Sequence, residues 1–346
     1  MTSVFALRCG SGSGPSQWPL WASSALLLGL VVVALMVGKF PVSPGELFHV
    51  LVARLGGTAA APSAVETVIF QIRGPRIAAA IVVGAALAAA GAAYQGMFRN
   101  PLVSPDILGV SSGAALGAAL AIFFSLGVVA IQGFAFVGGL LAVAVVYAVG
   151  SAVRRHDPIL TLILAGVVIG TLLGALLALI KYLADPYNQL PAITYWLLGS
   201  LAAITPSDLR VAAPLALAAL VPLTLLRWRM NLLSLPDDEA RALGVNTAAL
   251  RLAVVCAATL MTAASVAVSG VIGWVGLLVP HAARLLVGPD FGRLLPLSMV
   301  FGACYLLAVD TLARTLAAIE IPPGVLTAVI GTPVFLWLLA TTRRGW

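Results

Sequence analysis

Residues 159–182 read ILTLILAGVVIGTLLGALLALIKY, and no charge interrupts them before Lys181. At helical rise, roughly 20 apolar residues cross the ~30 Å hydrocarbon core of a bilayer, so this stretch is long enough to span one. Lipid offers no partner to backbone N–H and C=O groups, which makes an uninterrupted apolar run a helix. A membrane barrel would need short alternating segments in its place. Outward from this stretch, similar runs recur from Trp21 onward. They predict ten helices, over 19–38, 68–97, 106–127, 133–153, 159–182, 208–227, 248–269, 273–287, 295–317 and 323–342. Composition agrees, with 61% of the 346 residues hydrophobic and 9% charged, against about 25% charged in soluble domains. The fold class expected is all-α, a polytopic membrane protein.

The first 18 residues are rich in Gly, Ser and Pro and are expected to form a flexible tail. The apolar run that follows is long enough to span, which reads as an uncleaved anchor and not as a signal peptide. Residues 19–346 then make one transmembrane domain. Cys9, Cys256 and Cys304 are isolated in the sequence and imply neither a disulfide framework nor a metal cluster. The net charge of +7 comes from basic residues scattered between apolar runs. Nucleic-acid binding would need a dense basic stripe, so no nucleic acid is expected as a partner. The basic residues orient the chain instead. An even number of spans puts both termini on one side, and of the 19 Lys and Arg residues twelve fall on that side and seven on the other. Positive residues favour the cytoplasmic face, so both termini are expected to be cytoplasmic.

Gly109, Gly113 and Gly117 recur every four residues, as do Gly166, Gly170 and Gly174. Such stripes let helix backbones approach closely, and could also line a path for a bulky solute. Between Arg99 and Gly109 the sequence RNPLVSPDILG carries Pro101 and Pro105. Proline lacks an amide donor and disfavours helix just before it, so one helix is expected to stop near Asn100 and the next to start near Asp106. The longest polar stretch among the spans is RWRMNLLSLPDDEARALGVNTAALR at 227–251, which predicts a short cytoplasmic helix. Pro236 suits its first turn, Asp237, Asp238 and Glu239 its positive end, and Gly244 its left-handed stop. Ala240, Ala242, Leu243 and Val245 give it an apolar side with nothing of its own to cover, which invites a partner protein.

On the opposite side Arg73 and Arg76, three apart at the start of the second span, can point the same way, and Asp310 and Arg314, four apart, can pair. Arginine at a span end is by default a snorkelling anchor. His281 stands beside Pro280 with no second ligand at metal spacing, and reads as a helix-end histidine. Lys39 and Lys181, the only lysines, lack the context of a phosphate-binding loop. If ATP drives this protein, another subunit must hydrolyse it.

Seven segments in order carry a family resemblance. They are RGPR at Arg73, GAALAAAGAAYQGMFRNPLVSPDILGVSSGAALG at Gly84, LILAGVVIG at Leu162, YWLLGSL at Tyr195, LPDDEARALGVN at Leu235, GWVGLLVPHAARLLVG at Gly273, and DTLAR at Asp310 followed by IPPGVLTAVIGTPVFLWLL. The chain resembles the FecCD-type permease subunits of type II ABC importers, which carry ferric siderophores, haem and cobalamin, from about Arg73 to Leu339. The resemblance implies a permease of the bacterial cytoplasmic (inner) membrane that works as a homodimer, with the pathway between its two copies. Two cytoplasmic ATPase subunits, using ATP and Mg, and a periplasmic substrate-binding protein would complete the importer. The permease itself would be no enzyme and would hold no cofactor or metal.

By the same resemblance, segment 228–247 couples the permease to the ATPase through Asp237, Asp238, Glu239, Ala240, Leu243 and Gly244. Arg73, Arg76 and Arg314 receive acidic residues of the binding protein, and Asn100 and Leu102 belong to the cytoplasmic gate. The cargo implied is an iron chelate, a ferric siderophore or haem, with cobalamin or molybdate and tungstate as the alternative. Pro191, five positions before Trp196, stands where haem and cobalamin members tend to carry arginine, which leans toward a siderophore or an oxyanion. Two readings of other classes stand beside this one. An ion-coupled secondary transporter would need no ATPase, and an intramembrane hydrolase finds in Gly199, Ser200 and His281 residue types at no recognised spacing.

Overall fold

The computed structural model of the chain describes residues 18–56, 63–153 and 158–341. Residues 1–17 of the expected tail at 1–18 lie outside them, as do Arg154, Arg155, His156, Arg343 and Arg344, while Trp18 already belongs to the first helix. Among the described residues the regular structure is helical, with no strand.

The first helix, α1 (Trp18–Met36), is followed by α2 (Pro44–Leu55), which lies in the connection between the first two expected spans. A capping box opens α2: the Ser43 hydroxyl accepts from the Glu46 amide, and the Glu46 carboxylate accepts from the Ser43 amide. Leu47 and Val50 seat α2 on Leu35, Met36, Val42 and Ile69. Next, α3 (Ala64–Thr67) runs through a π-helical turn, Val68–Arg73, into α4 (Gly74–Met97). In that turn the Gly74 amide reaches back five residues to the Ile69 carbonyl. Pro75 has no amide to continue the ordinary ladder, and the wider turn re-pairs the backbone before it.

The chain continues as α5 (Val110–Phe123), α6 (Val128–Ala152), α7 (Pro158–Leu183), α8 (Gln189–Leu197), α9 (Pro206–Met230), α10 (Asp237–Ala242), α11 (Thr247–Ser269), α12 (Val275–Val287), α13 (Phe291–Ala313) and α14 (Pro323–Thr341). Each expected span has its helix, with ends shifted where a cap decides. Thus α5 starts later than expected, because a 3-10 turn at Pro105–Leu108 ends in left-handed Gly109, φ +79°. Conversely α13 starts earlier, because the Asp290 carboxylate accepts from the Gly292 amide. Seven of the described helical stretches are long and apolar enough to cross a membrane by length and composition, and Val110–Phe123, Val275–Val287 and Pro323–Leu338 are shorter apolar helices.

Between helices in lipid there is little hydrophobic gain from contact, so close packing of small residues must hold the bundle. The central helix α4 shows how. Ala79, Ala80, Ala88, Ala89, Ala90, Ala92 and Ala93 are fully enclosed, and a Cβ on Gly84 or Gly91 would collide with the backbone of Gly302 on α13 or Gly276 on α12. The first glycine stripe is likewise a packing device, with Gly113 and Gly117 lying against Gly138 and Phe134 of α6. In the second stripe Gly166 meets the Ile107 backbone, whereas Gly174 faces open space. Both α7 and α1 leave most of their apolar side chains uncovered, among them Leu164, Val168 and Leu172, and Leu28, Val32 and Val33.

Candidate functional site at the two polar ends of the bundle

Arg76, at the start of α4, and Arg99, just past its end, are separated by about 35 Å of helix. Each organises a polar cluster.

At the first end, the Arg76 Nε donates to Asp310 Oδ1 and Oδ2 at 2.9 and 3.0 Å, and its Nη1 donates to the two Glu320 carboxylate oxygens at 3.1 and 3.0 Å. Arg76 thereby ties α4 to α13 and to the turn before α14. Arg314 Nη2 donates to the Ala34 carbonyl at 2.6 Å, while its Nε stands 4.0 Å from Asp310. Arg73 donates to the carbonyls of Leu35 and Phe40. The last carbonyls of α1 have no partner within their own helix and carry the negative end of its dipole, so two guanidinium groups close it.

The structure therefore brings together the three arginines singled out from sequence, but buries them at 4, 7 and 6% exposure for Arg73, Arg76 and Arg314. Their partners are groups of the same chain. The expected pairing of Asp310 with Arg314 is the weaker contact, and Asp310 belongs chiefly to Arg76. Glu320 was missed; its only sequence signal is a lone carboxylate in the connection AAIEIPPG.

At the second end, α10 forms as expected, between Pro236 and left-handed Gly244, φ +81°. Asp237 accepts from Arg251 Nη1 and Nη2 at 2.8 and 2.6 Å, and lies 3.4 Å from Arg99 Nη2. Hydrogen bonds from Arg251 hold the Asp237 carboxyl below the usual carboxylate range; partial burial opposes them, and the charges of Arg251, Arg99 and Arg241 reinforce them. Asp238, Glu239, Ala242, Leu243 and Gly244 are exposed, Leu243 by 62%. Ala240 departs from the expected uncovered side: it is fully buried, and Val245 is half-buried against the core. Only part of the apolar side is free, because the short helix needs Ala240 to seat itself. A groove of about 510 Å³ runs beside it, lined by Arg229, Leu232, Leu243, Val245, Asn246 and Ala249 among others.

Asn100 and Leu102 sit in the turn after α4, both exposed, and the Asn100 Oδ1 accepts from the Leu102 amide at 2.9 Å. Helix α4 stops and the next turn starts where the two prolines place them. The side-chain amide of Gln95, fully buried near the end of α4, donates to the carbonyls of Val103 at 3.4 Å and Leu277 at 3.0 Å, and so pins this turn to α12. His281 is not at a helix end. It lies inside α12, 1% exposed, with its ring edge-on to Phe335 of α14. Among the described residues no cluster of three or more His, Cys, Asp or Glu side chains is placed to hold a metal.

The architecture and the sequence both have known counterparts. The model of the FecCD transport family matches residues 26–341. The chain is 40% identical over 334 residues to the molybdate import system permease protein MolB of Haemophilus influenzae, covering 96% of this chain and 98% of that one. It is 42% identical over 281 residues to a Helicobacter pylori protein assigned as an iron chelatin transport system permease, covering 81 and 85% of the two chains. A transporter assigned to the metal-chelate type of ABC transporters, solved in an inward-facing conformation, superposes with a TM-score of 0.85 at 39% identity, over 94% of this chain and 99% of that one. On sequence and fold together, the chain belongs to the FecCD transport family, as a permease subunit of an ABC importer and a multi-pass protein of the inner membrane.

Proposed function

We propose that two copies of this chain enclose a pathway for a metal chelate, opened alternately to each side by two ATPase subunits bound to α10 and its flanks. The termini are then cytoplasmic, and a periplasmic binding protein delivers the cargo at the Arg76 end. The observation that carries this reading is the build of α10, whose inner side is locked by Ala240 and Asp237 while Asp238, Glu239 and Leu243 stand free beside a groove. A firmly seated helix with one uncovered face suits a part that receives a push.

For Arg73, Arg76 and Arg314 to meet acids of a binding protein, a partner already in place must yield. Glu320 is the group best placed to do so, with a side chain 32% exposed against 0% for Asp310. The turn of Asn100 and Leu102 is proposed as part of the cytoplasmic gate.

The cargo reading is an iron chelate, supported by the apolar faces of α7, which would not retain a metal already enclosed in its ligand. Molybdate is the second reading, favoured by the relative that matches 96% of this chain. The test is reconstitution with the cognate ATPase and binding protein, followed by ATP-dependent uptake of a ferric siderophore and of molybdate. Leu243→Asp should abolish both ATPase copurification and uptake while leaving the fold intact, since Leu243 touches little of its own chain. Normal assembly and uptake by that variant would sink the coupling role. Uptake driven by an ion gradient without the ATPase would sink the whole reading.

A further inference from the structure

Arg99 follows the last turn of α4 with φ +52°, a left-handed conformation uncommon for any residue but glycine. Its side chain has an unusual set of partners for a residue in a turn. Nε donates to the Leu233 carbonyl at 2.7 Å, Nη2 donates to the Leu235 carbonyl, and the same Nη2 faces Asp237 Oδ1 at 3.4 Å. All three acceptors lie at the first residue of α10 or in the short stretch that leads into it, more than 130 positions along the chain.

Other ties hold that stretch as well, and they differ in kind. Arg251 binds Asp237 from the first turns of α11, which fastens α10 to the helix that follows it in sequence. Leu233 is buried in the main core, but an apolar contact sets no direction. The planar guanidinium of Arg99, engaged by donors on two of its nitrogens, fixes both distance and orientation. It also reaches α4, which is enclosed along its length and packed backbone to backbone on α12 and α13. Asn100 and Leu102 come directly after Arg99.

We propose that Arg99 is the positioning residue that makes the α10 segment and the α4–α5 turn move as one body, so that a displacement of α10 is delivered to the turn of Asn100 and Leu102. This inference rests on the coupling role proposed for α10. A strained backbone at Arg99 fits it, because the left-handed turn aims the guanidinium at α10 where a continued helix would carry it away.

The conformation supplies the control. Arg99→Gly suits φ +52° and removes only the fork, and Arg99→Lys keeps the charge without the fork. Spin labels at Leu102→Cys and Leu243→Cys, two exposed positions, in a background with Cys9, Cys256 and Cys304 changed to serine, report the link directly. In the intact chain one narrow distance distribution is expected; Arg99→Gly should broaden it, and Arg99→Lys should fall between. In the reconstituted importer, Arg99→Gly should still copurify with the ATPase and hydrolyse ATP, while cargo moved per ATP falls roughly ten-fold. An unchanged distribution, or unchanged transport per ATP, overturns the proposal. Loss of ATPase copurification overturns it too, since Arg99 would then only shape the docking surface. If the unaltered chain fails to bind the ATPase, the coupling reading falls instead, and the distance measurement still decides whether the two segments move together.

Discussion

Asp310 has no exposed surface, and its charge is balanced by Arg76, itself 7% exposed. Removing Arg76 leaves Asp310 only the 4.0 Å contact with Arg314, and removing Asp310 leaves Arg76 only Glu320; a buried charge that loses its main partner costs up to about 3–5 kcal/mol. Asp310→Asn or Arg76→Gln should therefore lower the melting temperature in detergent markedly. Glu320→Gln, whose carboxylate is 32% exposed, should cost about 0–1 kcal/mol. Equal losses from all three would show that the cluster does not have the layered burial described here. Asp237 is the corresponding group at the other end, and it lies where water can reach it. Because its folded-state pKa is depressed, its contribution to holding α10 is present above the unfolded carboxylate value of about 3.9 and disappears as pH falls through the lower folded value. A spin label at Leu243→Cys should keep its mobility from pH 7 to about pH 5 and loosen below about pH 4. Asp237→Asn should be loose already at neutral pH.

Among the elements, the glycines divide into those that carry packing and those that do not. Gly91→Leu would drive a side chain into the backbone of Gly276 and should abolish recovery of folded protein, whereas Gly174→Leu meets open space and should fold normally. Size-exclusion profiles of the two variants check this, and failure of Gly174→Leu would mean that α7 is covered in the folded chain. The same contrast explains what the sequence revealed. Spans such as α7 and α11 were legible nearly to the residue, because lipid leaves an apolar run no alternative to helix. Proline and glycine at 236 and 244 bounded α10 correctly. By contrast α2 and α8 were not seen, because each is shorter than a span; α2 owes its helicity to its capping box, and both to tertiary seating. At the site, sequence placed Arg73, Arg76 and Arg314 on one side of the membrane but not in one cluster. Apart from Asp310, their partners are backbone carbonyls at and just past the end of α1 and a lone glutamate, and neither leaves a pattern in sequence.

On the scale of the whole molecule, the charge clusters of the described residues sit at the two ends of α4, and α4 between them packs closely through alanine and glycine. That division suits a rigid central group of α4, α12 and α13 working between the proposed binding-protein end and the proposed ATPase end. It also leaves α1 and α7 as the faces with most apolar surface still uncovered, available to lipid or to a second copy of the chain. The closing of α1 by Arg314 bears on how the protein is made. Donor and acceptor are 280 positions apart. At a synthesis rate of about 5–20 residues per second, the first helix waits in the bilayer for roughly 15–55 seconds before the second of its two closing arginines has left the ribosome. During biogenesis α1 is thus held first by its own hydrophobicity and by Arg73, 38 positions on, and its end is fully closed only when the ninth span arrives.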